Sequence, residues 1–553
     1  MQVQDIHMQY IKEEFDENGV ISAFDLDLPD NFNYAYDIID KLAETEPERR
    51  AMIWCDDCGN ERVFTYGELS ELSDRAANMF LDKGVKRGDK VMTVLKRHWQ
   101  MWVVTFALEK IGAILIPATN QLKKKDYVYR FKQGGIDHII ATGDGDVVNC
   151  ITEALTEYDM KLKFIVKGKN DGWIDFDSEL MKYPACLERI PNRTDDDALM
   201  FFSSGTTGYP KMVMHSHRYS MAHIPTAKYW HNLNKDSLHF TISESGWGKF
   251  FWGKIYGQMA LAATVMVYDF TRFVPSDVLG IIEKYKVTSL CCPPTMYRFF
   301  IKEGMEGHDI SSLQYATTAG EALNAEVYDR FLEYTGHKIM EGFGQTETVL
   351  LIGNPVGSAN RSGSMGKAMP MFDIILADPD GNEVPVGETG EICVRLKEGI
   401  NNGIFKGYYN NPEANEAAFR YGLYHTCDTA YKDEDGYFWY VGRIDDVIKS
   451  SGYRIGPFEI ESTLMEHPAV REVAVTAAPD PIRGQVVKAT IVLTGAYKDK
   501  GDAALVKELQ DYVKENTAPY KYPRIIEFTE ELPKTISGKI RRVEIRERDK
   551  NKV

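Results

Sequence analysis

An apolar run, Ala198-Leu199-Met200-Phe201-Phe202, passes directly into Ser203-Ser204-Gly205-Thr206-Thr207-Gly208-Tyr209-Pro210-Lys211. The first part predicts a buried strand and the second a loop at its end, with a helix expected from about His217. Backbone N–H groups, Ser and Thr hydroxyls and one point charge can converge there on phosphate oxygens, so the loop suits a phosphate site better than an ordinary polar turn. It is not a Walker loop, because Lys211 follows Tyr209-Pro210 and not a glycine. A phosphate-handling chain is implied, and a P-loop NTPase or kinase is excluded.

The chain of 553 residues exceeds what one hydrophobic core serves, so two or more domains are expected. Before the loop the pattern alternates helix and strand: Tyr66 to Lys83, Lys90 to Leu95, Trp99 to Ile111, Ala113 to Pro117, His138 to Ala141, Val147 to Glu157 and Lys163 to Val166. That is the pattern of layered, parallel α/β structure. After residue 360, short strands and Gly-rich turns such as Asp380-Gly381-Asn382 predict a small β-barrel subdomain. From Pro457 a helix, two strands, a helix and a strand predict a compact α+β lid of about a hundred residues. Residues 32–44 are expected to pack on the main body, and Arg541 to Lys550 reads as a solvated, mixed-charge end.

A net charge of -17 argues against nucleic acid or an anionic membrane as partner. No apolar run approaches the ~18 residues of a membrane span, and Met1 to Gly19 lacks the form of a signal peptide. Eight cysteines in this length do not make a disulfide scaffold, which points to a reducing, cytoplasmic location. Cys55-Asp56-Asp57-Cys58 lacks a second pair to complete a zinc site, and His215 with His217 lacks further ligands. Both read as ordinary structure.

Six further stretches follow in order. They are Thr318-Ala319-Gly320-Glu321-Ala322, Glu341-Gly342-Phe343-Gly344-Gln345-Thr346-Glu347, Asp428, Gly442-Arg443-Ile444-Asp445-Asp446, Ser451-Gly452-Tyr453-Arg454 and Pro533-Lys534-Thr535-Ile536-Ser537-Gly538-Lys539. With the loop, this series resembles the signature of the adenylate-forming superfamily, which includes acyl-CoA synthetases, firefly luciferase and peptide-synthetase adenylation domains. The match runs from about residue 60 to the C-terminus and is nearest the medium-chain acyl-CoA synthetases.

The resemblance implies an α/β large domain, residues 1–444, and a mobile small domain, 445–553, with a hinge at Asp445. It implies an ATP-dependent acid:CoA ligase using ATP, Mg²⁺, CoA and a small carboxylic acid. Ser203, Ser204, Gly205, Thr206, Thr207, Gly208 and Lys211 would grip ATP phosphates, and Gly320, Glu321 and Ala322 would form the adenine slot. Glu341, Gly342, Phe343, Gly344, Gln345 and Thr346 would complete it, with Phe343 standing where the family commonly has Tyr. Glu347 would hold Mg²⁺, because a hard cation prefers carboxylate and phosphate oxygens. Asp428 would accept from the ribose hydroxyls although Cys427 replaces the usual Gly before it; Arg443 and Arg454 would meet ribose or phosphate. Lys539 would bridge carboxylate and α-phosphate, with Thr206 and Glu347 as its catalytic companions.

Ser243-Glu244-Ser245-Gly246-Trp247 resembles the medium-chain enzymes' pocket wall, which makes Trp247, Gly246, Gly320 and Gly344 the expected acyl pocket. Acetate-specific relatives carry Trp where this chain has Gly344, so a larger acid, short branched-chain or medium-chain, is expected. Gln121, Ser451, Gly452, Tyr453, Arg483, Lys514, Tyr522, Pro523 and Arg524 would line the CoA face. An adenylating enzyme for an aromatic acid or one loading a carrier protein is the nearest alternative, and a catalytically dead nucleotide-binding or scaffold protein is one from another class. The sequence leaves monomer and homodimer both open.

Overall fold

A computed structural model describes residues 5–203, 210–321, 323–450, 453–480, 483–535 and 539–550. In chain order it begins with β1 (Arg50–Asp56), α1 (Tyr66–Lys83), β2 (Lys90–Val94), α2 (Gln100–Ile111), β3 (Ile114–Pro117), β4 (His138–Thr142), β5 (Leu162–Val166), β6 (Asp197–Ser203) and β7 (Lys211–Ser216). Strands β6-β3-β2-β4-β5 pair in parallel within an eight-stranded sheet, and β7 joins antiparallel beside β6. Next come β8 (Leu238–Thr241), α3 (Gly248–Lys254), β9 (Thr264–Asp269), β10 (Ser289–Cys291), β11 (Tyr315–Ala319), β12 (Ile339–Gly344) and β13 (Leu350–Gly353). With β1 they supply seven strands of a nine-stranded sheet, in the order β13-β12-β11-β10-β8-β9-β1, parallel among themselves except where β13 returns along β12.

The helix expected from about His217 is present as Arg218–Met221, followed by a wider helical turn at Pro225–Trp230, while the stretch between it and the phosphate loop is the strand β7, which the sequence pattern does not announce. The reason is period-two burial. Met212 and Met214 enter one core with Met200, while Val213 enters another with Leu199 and Phe201. A strand buried on both faces shows no polar alternation to announce it.

Side chains of both sheets, among them Leu115, Val91, Trp54 and Val267, meet α2 in one core. Every residue of α2 is buried, including Glu109 and Lys110. Lys110 Nζ is satisfied by Asp40 at 2.7 Å and Asp74 at 2.6 Å. Glu109 accepts a 3.0 Å bond from the Tyr256 hydroxyl, and burial pushes its carboxyl from the ordinary 4.5 up to about 8. A carboxyl raised in this way supports folding fully below about 4.5 and loses that contribution as pH rises through 8. Stability should therefore fall by up to about 1.4 kcal/mol per pH unit across this window. Glu109→Gln keeps an acceptor for Tyr256 and should flatten the slope; denaturant unfolding at pH 5.5 and 8.0 would show parallel curves if Glu109 is not the source.

The third sheet is the expected small barrel, built on β14 (Gly390–Arg395), β15 (Leu423–Lys432) and β16 (Phe438–Arg443), all antiparallel. Residues 444–447 then join it to the first strand of the last sheet, Ile448–Ser450. That unit holds α4 (Pro457–Met465), β17 (Val470–Asp480), β18 (Gly484–Leu493), α5 (Ala503–Asn516), β19 (Ile525–Phe528) and α6 (Arg542–Lys550), around its own core of Ile460, Val475, Ile491, Leu509 and Val513. No helix among the described residues is long and apolar enough to cross a membrane.

Candidate active site

Strands β6 and β7 form a hairpin in which Ser203 faces Lys211, so the predicted phosphate loop is held at both ends. Ser204, Gly205, Thr206, Thr207 and Gly208 lie outside the described residues, as do Ala322, Ser451, Gly452 and the side chain of Arg454. Lys211 Nζ stands 4.6 Å over the Tyr408 ring, and the Tyr408 hydroxyl donates to Glu347 Oε1 at 2.9 Å. Burial pushes the Glu347 carboxyl up, while Tyr408 and the charges of Lys211 and Arg443 pull it back towards ionisation. A carboxylate edged by two cations suits a site where anionic oxygens and a metal ion meet. His215 donates its Nε2 proton to the Thr346 carbonyl at 2.8 Å, and burial holds its pKa down at about 4. It fixes the Gln345-Thr346-Glu347 segment.

Asp428, on β15, is 6% exposed. Its Oδ2 accepts from Gln345 Nε2 at 2.6 Å and its Oδ1 from the Tyr440 hydroxyl at 2.9 Å, with Arg443 Nη1 at 3.7 Å. Burial raises its pKa; Arg443, Tyr440, Gln345 and the charge of Lys539 oppose the rise. The charge of the small domain's lysine therefore reaches the acidic residue of the large one. Cys427 takes the left-handed backbone with φ of 60°, the conformation that glycine adopts without steric cost. Its N–H donates to Glu391 Oε1 at 2.9 Å and its carbonyl accepts from Ile444 at 3.0 Å, so the turn expected of glycine is kept.

Glu391, Cys393 and His425 are three buried metal-type donors within 4.8 Å of one another. The Glu391 oxygens are engaged by the Cys427 N–H and by His425 Nδ1 at 2.8 Å. The group is a hydrogen-bonded support beneath Cys427 and Asp428.

Gly320 ends β11 with φ of 101°, exposed and with open space where a Cβ would stand. Glu321 accepts from Thr295 at 3.1 Å. Glu341, expected to touch the nucleotide, is corrected to a buttress: it is 5% exposed, its Oε1 accepts from the Leu323 N–H at 3.1 Å, and burial pushes its carboxyl up to about 8. Gly342 lies against Trp230 and Leu350, and Phe343 packs on the core.

Gly344 is also corrected. A Cβ there would lie 2.7 Å from the Val349 carbonyl oxygen, across the irregular β12–β13 pairing, so Gly344 faces backbone and does not open a pocket by lacking a side chain. A Cβ on Gly246 would likewise lie only 2.3 Å from the Thr119 nitrogen, so glycine is needed there, just before Trp247 at the start of α3. Along α3, Phe250 and Phe251 are wholly buried, whereas Lys249 and Trp252, three residues apart, share a half-buried face. Lys249 Nζ bonds the Ala319 carbonyl at 3.2 Å, and Trp252 lies 6.0 Å from both His231 and Trp230. Sequence reading weighed Trp252 only as core and passed over Lys249; the i, i+3 spacing was the available signal.

On the small domain, Lys514 and Arg524 sit over the two sides of Tyr522, at 4.5 and 4.8 Å. Arg524 also donates to the Tyr522 hydroxyl at 2.6 Å, and the Pro523 carbonyl accepts from Gln510 at 3.0 Å. Tyr453, half-exposed, stacks on Tyr520 with centroids 4.2 Å apart. Arg483 donates its N–H to Asp480 at 2.7 Å. Gln121 is exposed on the large domain. The CoA residues predicted on the small domain therefore include one joined cluster, Lys514-Tyr522-Arg524.

Residues 39–409 match the family model described as AMP-binding enzyme, and residues 459–539 match the AMP-binding enzyme C-terminal domain. The chain belongs to the adenylate-forming AMP-binding enzymes. Among its relatives is the mitochondrial acyl-coenzyme A synthetase ACSM3 of Homo sapiens, 38% identical over 95% of this chain and 91% of that protein. Two solved structures are similar to this AMP-binding enzyme. The anthranilate CoA ligase AuaEII in complex with anthranoyl-AMP has a TM-score of 0.86 at 30% identity, covering 95% of this chain and 99% of that one. A benzoate CoA ligase from Burkholderia xenovorans LB400 has a TM-score of 0.80 at 26% identity, covering 93% and 100%.

Proposed function

We propose that this AMP-binding enzyme is an ATP-dependent acid:CoA ligase that converts a short branched-chain or medium-chain acid to its acyl-CoA through an acyl-adenylate. The observation that carries the reading is the Gln345-Asp428-Tyr440-Arg443 network with the charge of Lys539 directed onto it. It supports the reading of Asp428 as an acceptor for ribose hydroxyls within reach of the charge of Lys539.

A carboxylate is a poor acyl donor because its leaving group would be oxide. Attack of its oxygen on the α-phosphorus of ATP expels pyrophosphate and makes AMP the leaving group. Two anions must meet, so cations and directed donors are the main catalytic requirement. Lys211 and the loop after Ser203 bind the β- and γ-phosphates, and Lys539 bridges the carboxylate and α-phosphate. Mg²⁺ bound with ATP supplies charge neutralisation on phosphate oxygens, and Glu347 is the carboxylate placed to hold it. In the second half a thiol attacks the adenylate carbonyl, so Lys539 must leave by rotation of residues 445–553 about Asp445. Lys514, Tyr522 and Arg524 then offer two cations and an aromatic face to CoA. Eight free cysteines suit a reducing, cytoplasmic setting.

Trp247 and Trp252, both partly exposed, would supply an aromatic acyl wall. Each methylene buried there contributes ~0.8 kcal/mol, so kcat/KM should rise about fourfold per carbon from acetate until the wall is met. Pyrophosphate release and thioester formation measured across straight, branched and aromatic acids test both parts. Acetate as the best acid would overturn the substrate class. Adenylation without CoA affinity would favour the carrier-protein alternative.

A further inference from the structure

The charged run expected to be a solvated end is instead α6, whose Ile545 is buried beside Ala474, Val492 and Leu532. Two of its arginines converge on one carboxylate. Arg546 Nη1 donates to Asp446 Oδ1, and Arg542 Nη1 stands 3.8 Å from Asp446 Oδ2. Arg542 Nη2 also bonds Glu461 Oε1 and Oε2 on α4, at 2.7 and 2.6 Å, and Glu461 Oε1 accepts from the Val475 N–H at 2.7 Å. Asp446 and Glu461 are 7% and 9% exposed. Ionised hydrogen bonds shielded from water in this way are directional as well as strong.

Their position along the chain gives them a further consequence. Asp446 directly follows Asp445, and α6 begins three residues after Lys539. Lys539 is tied to Thr535: Thr535 donates its N–H to the Lys539 carbonyl at 2.7 Å, and Lys539 its own to Thr535 Oγ1 at 3.1 Å. Arg541 ties the loop's base to the Pro533 carbonyl at 2.8 Å. Loop, helix and the residue after the pivot therefore form a continuous chain of contacts.

We propose that Asp446 is a positioning residue for Lys539, the clamp by Arg546 and Arg542 making the lysine loop, α6 and the post-pivot segment one rigid body. A dihedral change at Asp445 then sets Lys539 in a single orientation. This rests on the ligase reading and on the role of Lys539 in adenylation. Without the clamp Lys539 samples many orientations, which slows the step that needs it and spares the step that does not.

Asp446→Asn keeps the shape and removes the charge. At saturating ATP and acid it should slow acyl-adenylate formation by roughly 10- to 100-fold, with the KM values little changed and with wild-type consumption of supplied acyl-adenylate by CoA. In a Lys539→Ala background the same substitution should add nothing, because a residue acting through Lys539 has nothing left to position. Arg546→Gln should reproduce the split and Arg546→Lys should restore most of the rate; this pair decides the matter if Asp446→Asn fails to fold. Equal slowing of both half-reactions, no slowing, or an additive loss with Lys539→Ala overturns the proposal. Wild-type enzyme that releases no pyrophosphate with any acid would instead overturn the ligase reading.

Discussion

Lys539→Ala should lower acid-dependent pyrophosphate release by at least roughly 10³-fold while leaving the reaction of a supplied acyl-adenylate with CoA near the wild-type rate. Lys539 is exposed on the small domain, yet its charge helps keep Asp428 ionised against burial. Its charge is thus felt at Asp428 in this arrangement of the two domains. Adenylation brings a carboxylate to an α-phosphate, and an ammonium between them offsets repulsion that grows as the new P–O bond forms. Thioester formation has no such need, since a thiolate attacks a carbonyl whose leaving group already carries its charge. Pyrophosphate release for the first half and single-turnover consumption of acyl-adenylate for the second separate the two. Equal loss in both halves would show that Lys539 serves general folding or binding.

Part of the candidate site was legible because a few polar residue types in a fixed series point to one another. Asp428, Gln345 and Arg443 are expected together and are found hydrogen-bonded or ion-paired. Residues whose work is support were misread. Glu341 shares a stretch with Gln345 and Glu347, but alternation along β12 turns it inward onto the Leu323 N–H. Gly344 suggested an open pocket, yet its missing side chain makes room for the Val349 carbonyl. β7 was hidden because both its faces are buried. The charges of α6 looked solvated because their partners, Asp446 and Glu461, are distant in sequence. Long-range pairing leaves no local periodicity, so composition alone assigned that helix to solvent.

Asp445→Pro should separate the two halves of the reaction in the opposite sense, keeping adenylation and slowing thioester formation by at least ~100-fold, a barrier increase of about 2.7 kcal/mol. The chain is anchored on both sides of this residue. Upstream, Ile444 donates to the Cys427 carbonyl at 3.0 Å; downstream, the N–H groups of Asp446 and Val447 both reach the Arg443 carbonyl, at 3.0 and 3.1 Å. Asp446 is further held by Arg542 and Arg546. Asp445 itself is exposed, its carboxylate 3.4 Å from Arg443 Nε. The two bonds to the Arg443 carbonyl span Asp445, so a rotation of the small domain must open this turn and be absorbed by the dihedrals of one or two residues. Proline fixes φ near -65° and also restricts the residue before it. Because the charge of Lys539 acts on Asp428 here, the arrangement retained by a locked hinge should be the one suited to adenylation. Acyl-adenylate should then accumulate and persist after CoA is added, visible as a burst of pyrophosphate without matching thioester. Proportionate slowing of both half-reactions in a folded protein would place the pivot elsewhere.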